Sequence, residues 1–80
     1  MRAIIERPED IGVFVQRIRR DAQLTQLELA SALGTSQRWL SELEAGKPKR
    51  IDGNYFSVLS KLGITLVAET AETAERDADE

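Results

Sequence analysis

The stretch from Thr25 to Gly46 constrains the fold of this chain most strongly, because it encodes two short helices joined by a tight turn. Thr25 is a favourable N-cap for the first helix, and Glu28, three residues later, completes a capping box. Gly34 predicts the end of that helix, because glycine adopts the left-handed backbone of a helix C-terminus without steric cost. Ser36 predicts the N-cap of the second helix, and Gly46 predicts its end.

Apolar residues give each of these two helices one buried face. They recur at helical spacing, at Leu29, Ala30 and Leu33 in the first helix and at Leu40 and Leu43 in the second. The small side chain of Ala30 allows close backbone approach where two helices cross steeply. Two short helices joined in this way predict a helix-turn-helix motif, whose second helix is presented to the major groove of double-stranded DNA.

The flanking sequence predicts two further helices and one short strand. Pro8 starts a helix that runs to about Ala22, and Asp52 caps another helix that runs through Leu62. Their expected inward residues are Ile11, Phe14, Val15 and Ile18 in the first of them and Tyr55, Phe56, Leu59 and Leu62 in the last. The strand is expected at Ile64, Thr65, Leu66 and Val67, since β-branched residues favour strands.

A lone strand in a four-helix domain leaves a row of backbone donors and acceptors unpaired. Residues 64–67 are therefore expected to pair with their copy in a second chain, or with MRAII at residues 1–5 of the same or the other chain. Pairing through a second chain makes a homodimer. A dimer also agrees with the way helix-turn-helix proteins read a palindromic operator, whose two half-sites lie about 34 Å apart.

Length and composition exclude several classes of protein. Eighty residues allow one small domain, and the absence of Cys and His removes thiol nucleophiles, disulfides, zinc-finger spacing and the commonest general base. We therefore expect no enzyme, no cofactor, no metal site and no small-molecule substrate. No apolar run is long enough to span a membrane, and the start of the chain lacks a signal-peptide core, so a cytoplasmic protein is expected.

Charge divides the chain into a mildly basic part and an acidic tail. Residues 1–68 carry ten Lys/Arg and eight Asp/Glu, a net charge of +2, whereas residues 69–80 carry one Arg and six Asp/Glu, a net charge of −5. We expect an N-terminal arm or short strand at 1–7, a DNA-binding and dimerisation domain at 8–68, and a disordered acidic tail at 69–80. The tail is a solubility element, a partner-binding arm, a DNA mimic or a start site for a protease.

Polar and basic side chains around the second helix are the candidate DNA-binding residues. Gln37 and Arg38 lie in its first turn and Ser41 one turn later, where amides pair with adenine and guanidinium groups with guanine. Five other residues suit contacts to the DNA backbone: Gln26, Ser36, Lys47, Lys49 and Arg50. The amide of Gln26 can hold a phosphate or brace a neighbouring side chain.

Trp39 and Glu42 each have two interpretations. Trp39 either packs against the loop after Gly46 or makes an apolar contact in the DNA groove with a thymine methyl or a sugar. Glu42 either accepts a hydrogen bond from cytosine N4 or pairs with Arg38 one turn back. Three arginines of the first helix are expected on a solvated face rather than at the DNA: Arg17, Arg19 and Arg20.

The sequence TQLELASALGTSQRWLSELEAGKPKR resembles the Cro/CI and Xre helix-turn-helix family. The match rests on Thr25-Gln26, Leu29-Ala30, Leu33-Gly34, Ser36-Gln37, and Leu43-Glu44 followed by Gly46. This resemblance implies an all-α, lambda-repressor-like domain of four to five helices. It also implies that Gln26 contacts a phosphate and that Gln37 and Arg38 read bases.

Outside that core the chain resembles HipB-type antitoxins. This match rests on RPEDIG at residues 7–12, on RWLS at 38–41 with EAGKP at 44–48, and on LGITL at 62–66. It implies the antitoxin of a bacterial type II toxin–antitoxin system, which dimerises through C-terminal strands, represses its own operon and engages a HipA-type kinase toxin. The acidic tail departs from this pattern. The alternatives are a stand-alone Xre-type regulator without a toxin and a protein-interaction module that no longer binds DNA.

Overall fold

A computed structural model describes residues 1–71, and within this range the chain forms four α-helices and no β-strand. They are α1 (Pro8–Asp21), α2 (Gln26–Leu33), α3 (Gln37–Glu44) and α4 (Gly53–Lys61). The all-α prediction is confirmed, with helix bounds close to those expected. None of the four helices is long and apolar enough to cross a membrane. Most of the expected acidic tail, residues 72–80, lies outside the described residues.

Side-chain caps begin three of the helices at the predicted positions. In α2 the Thr25 hydroxyl accepts from the Glu28 N–H at 3.1 Å, and the Glu28 carboxylate accepts from the Thr25 N–H at 2.8 Å. The Ser36 hydroxyl accepts from the Trp39 N–H at 3.0 Å at the start of α3, and Asp52 caps α4 in the same way. Each cap satisfies a backbone donor that has no partner inside its helix.

All four helices end in the same kind of turn. A left-handed residue follows α2 directly and follows each of the other three helices after one right-handed residue. The next N–H donates to the carbonyl five positions back, as Thr35 does to Ala30 at 3.0 Å. Glycine holds the left-handed position after α2, α3 and α4, at Gly34, Gly46 and Gly63. The φ of Gly34, for example, is 73°. After α1 the position is held by Gln23, whose φ of 59° is the only positive φ of a non-glycine residue between positions 1 and 71.

The four helices share one apolar core, to which each contributes at least two residues. Its buried members are Ile11, Val15, Leu29, Ala30, Leu33, Leu40, Leu43, Val58 and Leu59. The predicted faces of α2 and α3 are confirmed. The inward prediction for Phe56 was wrong, since its side chain is 50% exposed and Val58 is buried instead. The inward face of α4 follows positions 55, 58, 59 and 62, and position 56 lies about 100° around the helix from position 55.

The backbones of α1 and α3 almost touch at Gly12. A Cβ atom built on Gly12 would lie 2.6 Å from the Leu43 carbonyl oxygen and 2.7 Å from that of Glu44, which is closer than a side chain allows. Ala30, to which the sequence analysis assigned a close approach, is also buried. The contact at Gly12 was missed, because a glycine in a helical sequence does not reveal which element lies against it.

Residues 64–67 do not form a strand in the single chain. Ile64 packs against the core, and its N–H donates to the Leu59 carbonyl at 2.9 Å, while Leu66 and Val67 are exposed. No backbone hydrogen bond joins these residues to residues 1–5, so the predicted alternative of pairing within one chain is not formed. Because a strand needs a partner, pairing with a second copy stays a prediction.

Replacing Gln23 with glycine is expected to stabilise the fold. The left-handed backbone costs a non-glycine residue about 1–2 kcal/mol, and glycine loses about 0.5–1 kcal/mol more conformational entropy, so Gln23→Gly should add about 0.5–1 kcal/mol. Gln16→Gly, inside α1, is the matched control and should cost about 1 kcal/mol. Urea unfolding measures both changes, and an equal loss in the two variants would contradict the role given to Gln23.

Candidate nucleic-acid interface

The turn between α2 and α3 sets the direction of α3. Gly34 ends α2 with a left-handed backbone, and the Ser36 hydroxyl begins α3 two residues later. From α4, the Lys61 ammonium donates to the Leu33 carbonyl at 3.1 Å, at the negative end of the α2 dipole. The Ser36 cap therefore fixes the start of α3, and the bond from Lys61 ties the end of α2 to α4.

The three predicted base-reading residues share the side of α3 that faces away from the core. Gln37 and Arg38 lie in its first turn, and Ser41 follows at the spacing that places it on the same face. Gln37 is exposed, the Arg38 side chain is 89% exposed and Ser41 is half-buried. Leu40 and Leu43 lie on the opposite face of α3 and are buried in the core. The structure thus brings the predicted trio together, and its contacts with bases stay a prediction.

Glu42 joins α3 to the loop that follows it. Its carboxylate accepts from Arg38 Nε at 3.4 Å and from Lys49 Nζ, whose side chain is mostly buried. The hydrogen bond from Lys49, more than that from Arg38, lowers the pKa of Glu42. Pairing between Glu42 and Arg38 is confirmed. Lys49, expected at a phosphate, is held within the protein, so a DNA contact would require this ion pair to open.

Trp39 packs against the loop and α4. Its ring lies edge-on to Tyr55, with centroids 6.5 Å apart, and Lys49 Nζ lies 5.3 Å from its ring centroid. The ring is half-buried and packs against the core, and its apolar contact in the DNA groove stays a prediction. Burial in the same cluster raises the pKa of Tyr55.

Three further residues were predicted to contact the DNA backbone: Ser36, Lys47 and Arg50. Lys47 and Arg50 are both exposed in the loop after α3. The Ser36 oxygen accepts the capping hydrogen bond, which leaves its O–H as a donor for an external acceptor such as a phosphate. Contacts of these three residues with DNA stay predictions.

A buried ion pair that the sequence analysis did not identify ties α1 to α3. Arg19 donates to both oxygens of Glu44, at 2.7 Å from Nε and 2.9 Å from Nη2, and Nη1 donates to the Leu24 carbonyl at 2.9 Å. The two side chains are only 12% and 2% exposed. The expectation that Arg19 is solvated was therefore wrong. Helical spacing excluded Arg19 from the apolar stripe but could not show that a carboxylate from α3 meets it.

The same carboxylate braces Gln26 at the start of α2. Gln26 Nε2 donates to Glu44 Oε1 at 3.2 Å, which fixes the amide with its nitrogen towards the carboxylate. An amide nitrogen carries two hydrogens, so the second one is left to face an acceptor such as a phosphate. The hydrogen bond that Arg19 itself makes to Glu44 raises the pKa of Arg19, so the guanidinium stays charged. The bracing interpretation of Gln26 is confirmed, and its phosphate contact stays a prediction.

Comparison with known proteins gives the family of this chain. A family of helix-turn-helix domains matches residues 10–57. An uncharacterized HTH-type transcriptional regulator of Sinorhizobium fredii, y4mF, is 40% identical over 62 residues, which cover 78% of this chain and 82% of that protein. The chain belongs to the helix-turn-helix transcriptional regulators. These matches confirm the resemblance of the sequence to the helix-turn-helix family.

Among solved structures, the fold of this regulator is similar to that of HipB. A chain from the complex of a HipB variant with an O2 20-mer superposes with a TM-score of 0.72 at 22% identity, covering 89% of the regulator and 99% of that chain. A chain from the HipA-HipB-O2-O3 complex gives a TM-score of 0.68 at 21% identity, with the same coverage. At this level of identity the likeness concerns the fold.

Removing one partner of the buried ion pair is expected to destabilise the regulator strongly. Glu44→Leu leaves the Arg19 guanidinium buried without its carboxylate, at a cost of about 3 kcal/mol or more. The double variant Arg19→Met with Glu44→Leu removes both charges and should recover most of that loss. Urea unfolding measures both variants. A double variant as unstable as Glu44→Leu alone would contradict this account of the pair.

The ion pair between Glu42 and Lys49 is expected to make stability depend on acid pH. The folded-state pKa of Glu42 is lowered, so its contribution is present above the unfolded value of 4.5 and is lost as pH falls through the folded value. The fall in unfolding free energy between pH 5 and about pH 3 should therefore be smaller in Lys49→Met than in the original chain. Unchanged pH dependence in Lys49→Met would argue against the pair.

Proposed function

We propose that this regulator is a dimeric, sequence-specific DNA-binding repressor of its own operon, and the antitoxin of a HipA-like kinase toxin. The observation that carries the DNA-binding part is the polar trio on one face of α3, in which Gln37 and Arg38 are exposed and Ser41 is half-buried. These residues offer an amide, a guanidinium and a hydroxyl on the helix that this motif places in the major groove.

In this proposal the residues around α3 divide into base readers and backbone contacts. Arg38 donates to O6 and N7 of guanine, Gln37 pairs with N6 and N7 of adenine, and Ser41 contacts a base one turn later. Four other groups hold phosphates: the second amide hydrogen of Gln26, the hydroxyl of Ser36, and the charges of Lys47 and Arg50. Lys49 has the weakest support as a backbone contact because Glu42 engages it.

The dimer is proposed to form through residues 64–67. Leu66 and Val67 are exposed apolar side chains at the end of the helical domain, and their backbone groups have no strand partner within residues 1–71. An 80-residue domain also buries a smaller share of its surface than a larger domain does, so it gains stability from a second copy. Two copies would present two α3 helices to a palindromic operator.

The antitoxin role is supported by the fold and by sequence motifs. HipB, whose fold this regulator shares, has been solved together with HipA. The motifs at residues 7–12, 38–48 and 62–66 resemble those of HipB-type antitoxins. Action of this kind places the regulator in the bacterial cytoplasm, at the nucleoid, with no enzymatic activity of its own.

A stand-alone Xre-type regulator without a toxin is the second candidate. It is favoured by the 40% identical relative from Sinorhizobium fredii, which is described as a transcriptional regulator. A pull-down of the tagged regulator from its native cell, with bound protein and DNA identified, separates the two candidates. A kinase-like protein together with the regulator's own promoter supports the antitoxin, whereas promoter DNA without a protein partner supports the stand-alone regulator.

Arg38→Ala and Lys47→Ala are expected to affect DNA binding in different ways. Arg38→Ala should cost about 1–3 kcal/mol on the specific operator and relax its sequence preference. Lys47→Ala should weaken binding to all sequences alike and lower the slope of log affinity against log salt by about one. Fluorescence anisotropy on operator and random DNA distinguishes the two effects. Equal losses of affinity for operator and random DNA in both variants would contradict the base-reading role of Arg38.

Leu66→Lys is expected to shift the regulator from dimer to monomer. A charge at the centre of the proposed seam opposes burial, whereas Val13→Lys, which also replaces an exposed apolar residue, is the matched control on α1. Sedimentation velocity across a concentration series measures the change, with circular dichroism confirming that both variants fold. A dimer of unchanged affinity in Leu66→Lys would refute the placement of the seam.

A further inference from the structure

A carboxylate of α3 connects one of the proposed base readers to a lysine of the following loop. Glu42 Oε2 accepts from Arg38 Nε at 3.4 Å, and Glu42 Oε1 accepts from Lys49 Nζ. The Arg38 side chain is 89% exposed, that of Glu42 26% and that of Lys49 13%. We call these three residues the charge row. It runs from the surface inwards and is best enclosed at Lys49.

The inner end of the charge row rests on an aromatic pair. Lys49 Nζ lies 5.3 Å from the centroid of the Trp39 ring, and Trp39 lies edge-on to Tyr55 of α4. An ammonium over an aromatic face is attracted by the negative charge of that face. The ring and the Glu42 carboxylate therefore hold Lys49 from two sides, and Lys49 in turn gives Glu42 a fixed partner.

The outer end of the charge row leaves Arg38 suited to a guanine. A guanidinium carries its donors on Nε, Nη1 and Nη2 in a rigid planar fork. The contact with Glu42 uses Nε, which leaves the two terminal nitrogens free of that contact. A pair of donors held in one plane is what O6 and N7 of guanine accept.

An exposed arginine gains from being held before it meets a base. Its long side chain samples many rotamers in water, and this freedom is lost when the fork binds. A carboxylate four positions along the helix restricts those rotamers, because it contacts Nε from one side. The contact is loose in the free regulator, at 3.4 Å, and the exclusion of water at a DNA surface would strengthen it.

Glu42 can act in this way beside DNA only if its charge is compensated, since phosphates repel a bare carboxylate. Lys49 supplies the compensation. Its hydrogen bond lowers the pKa of Glu42, so the carboxylate stays ionised and keeps accepting from Arg38. Two positive charges and one negative charge leave the charge row with a net charge of +1, which favours the approach of DNA.

We propose that Glu42 and Lys49 are positioning residues for base reading: Lys49 holds Glu42, and Glu42 holds the Arg38 fork for guanine. The inference rests on the proposed base-reading role of Arg38 and deepens it. Lys49 then contributes to sequence preference, in place of the phosphate contact that its charge suggested. A phosphate contact would require Lys49 to leave both the Glu42 carboxylate and the Trp39 ring.

Lys49→Met and Lys47→Met are a matched pair that tests this proposal. Each removes one lysine charge from the same loop, but Lys47 is exposed and lies outside the charge row. Fluorescence anisotropy gives the ratio of affinities for two duplexes, the site that the original chain enriches from random-sequence DNA and a scrambled version of it. A lost phosphate contact weakens both duplexes alike and leaves the ratio unchanged. Lys49→Met should lower the ratio about fivefold, and Lys47→Met should not change it.

Glu42→Gln is a second variant, which keeps the shape of the side chain and removes its charge. It should strengthen binding to the scrambled duplex, because a repulsive charge is gone, and still lower the ratio about fivefold. In an Arg38→Ala background neither Glu42→Gln nor Lys49→Met should lower the ratio further, because no fork is left to position. A general disturbance of α3 would lower the ratio in both backgrounds.

Two results would overturn the positioning role and leave Arg38 a base reader. One is the same ratio in Lys49→Met as in Lys47→Met, and the other is an equal loss with and without Arg38. Circular dichroism confirms that each variant is folded. An original chain that enriches no site, or that binds both duplexes alike, would overturn the proposed DNA-reading function itself.

Discussion

The buried contact between Arg19 and Glu44 is the interaction on which the placement of α2 and α3 against α1 depends. It joins the end of α1 to the end of α3, next to the place where the two backbones touch at Gly12. Glu44 also holds the amide of Gln26, so one carboxylate fixes the start of α2 and the end of α3 together. This cluster therefore ties α1, α2 and α3 to one another through a single buried carboxylate.

Local features of the fold could be predicted from the sequence because each depends on residues close together in the chain. The cap at Thr25 needs only Glu28 three positions later, and the turn at Gly34 needs only a residue that tolerates a left-handed backbone. The buried faces of α2 and α3 follow from helical spacing alone. The outward direction of Gln37 and Arg38 follows in turn from those faces.

Features that depend on contacts between distant elements could not be predicted in this way. Arg19 and Glu44 are 25 positions apart, and nothing in helical spacing shows that their side chains meet. The same holds for Lys49, whose charge suggested a phosphate contact before Glu42 was found to engage it. Phe56 was misplaced because its aromatic side chain suggested burial, while the geometry of α4 selects Val58.

Selection of binding sites from random-sequence DNA by the purified regulator tests the central claim most directly. If a dimer reads bases through α3, the enriched sequences form an inverted repeat whose half-site centres lie about 34 Å apart, one turn of the double helix. Repeating the selection with Arg38→Ala should relax the preference at one base pair in each half-site. Enrichment of a single unrepeated site, or of no sequence at all, would contradict the account.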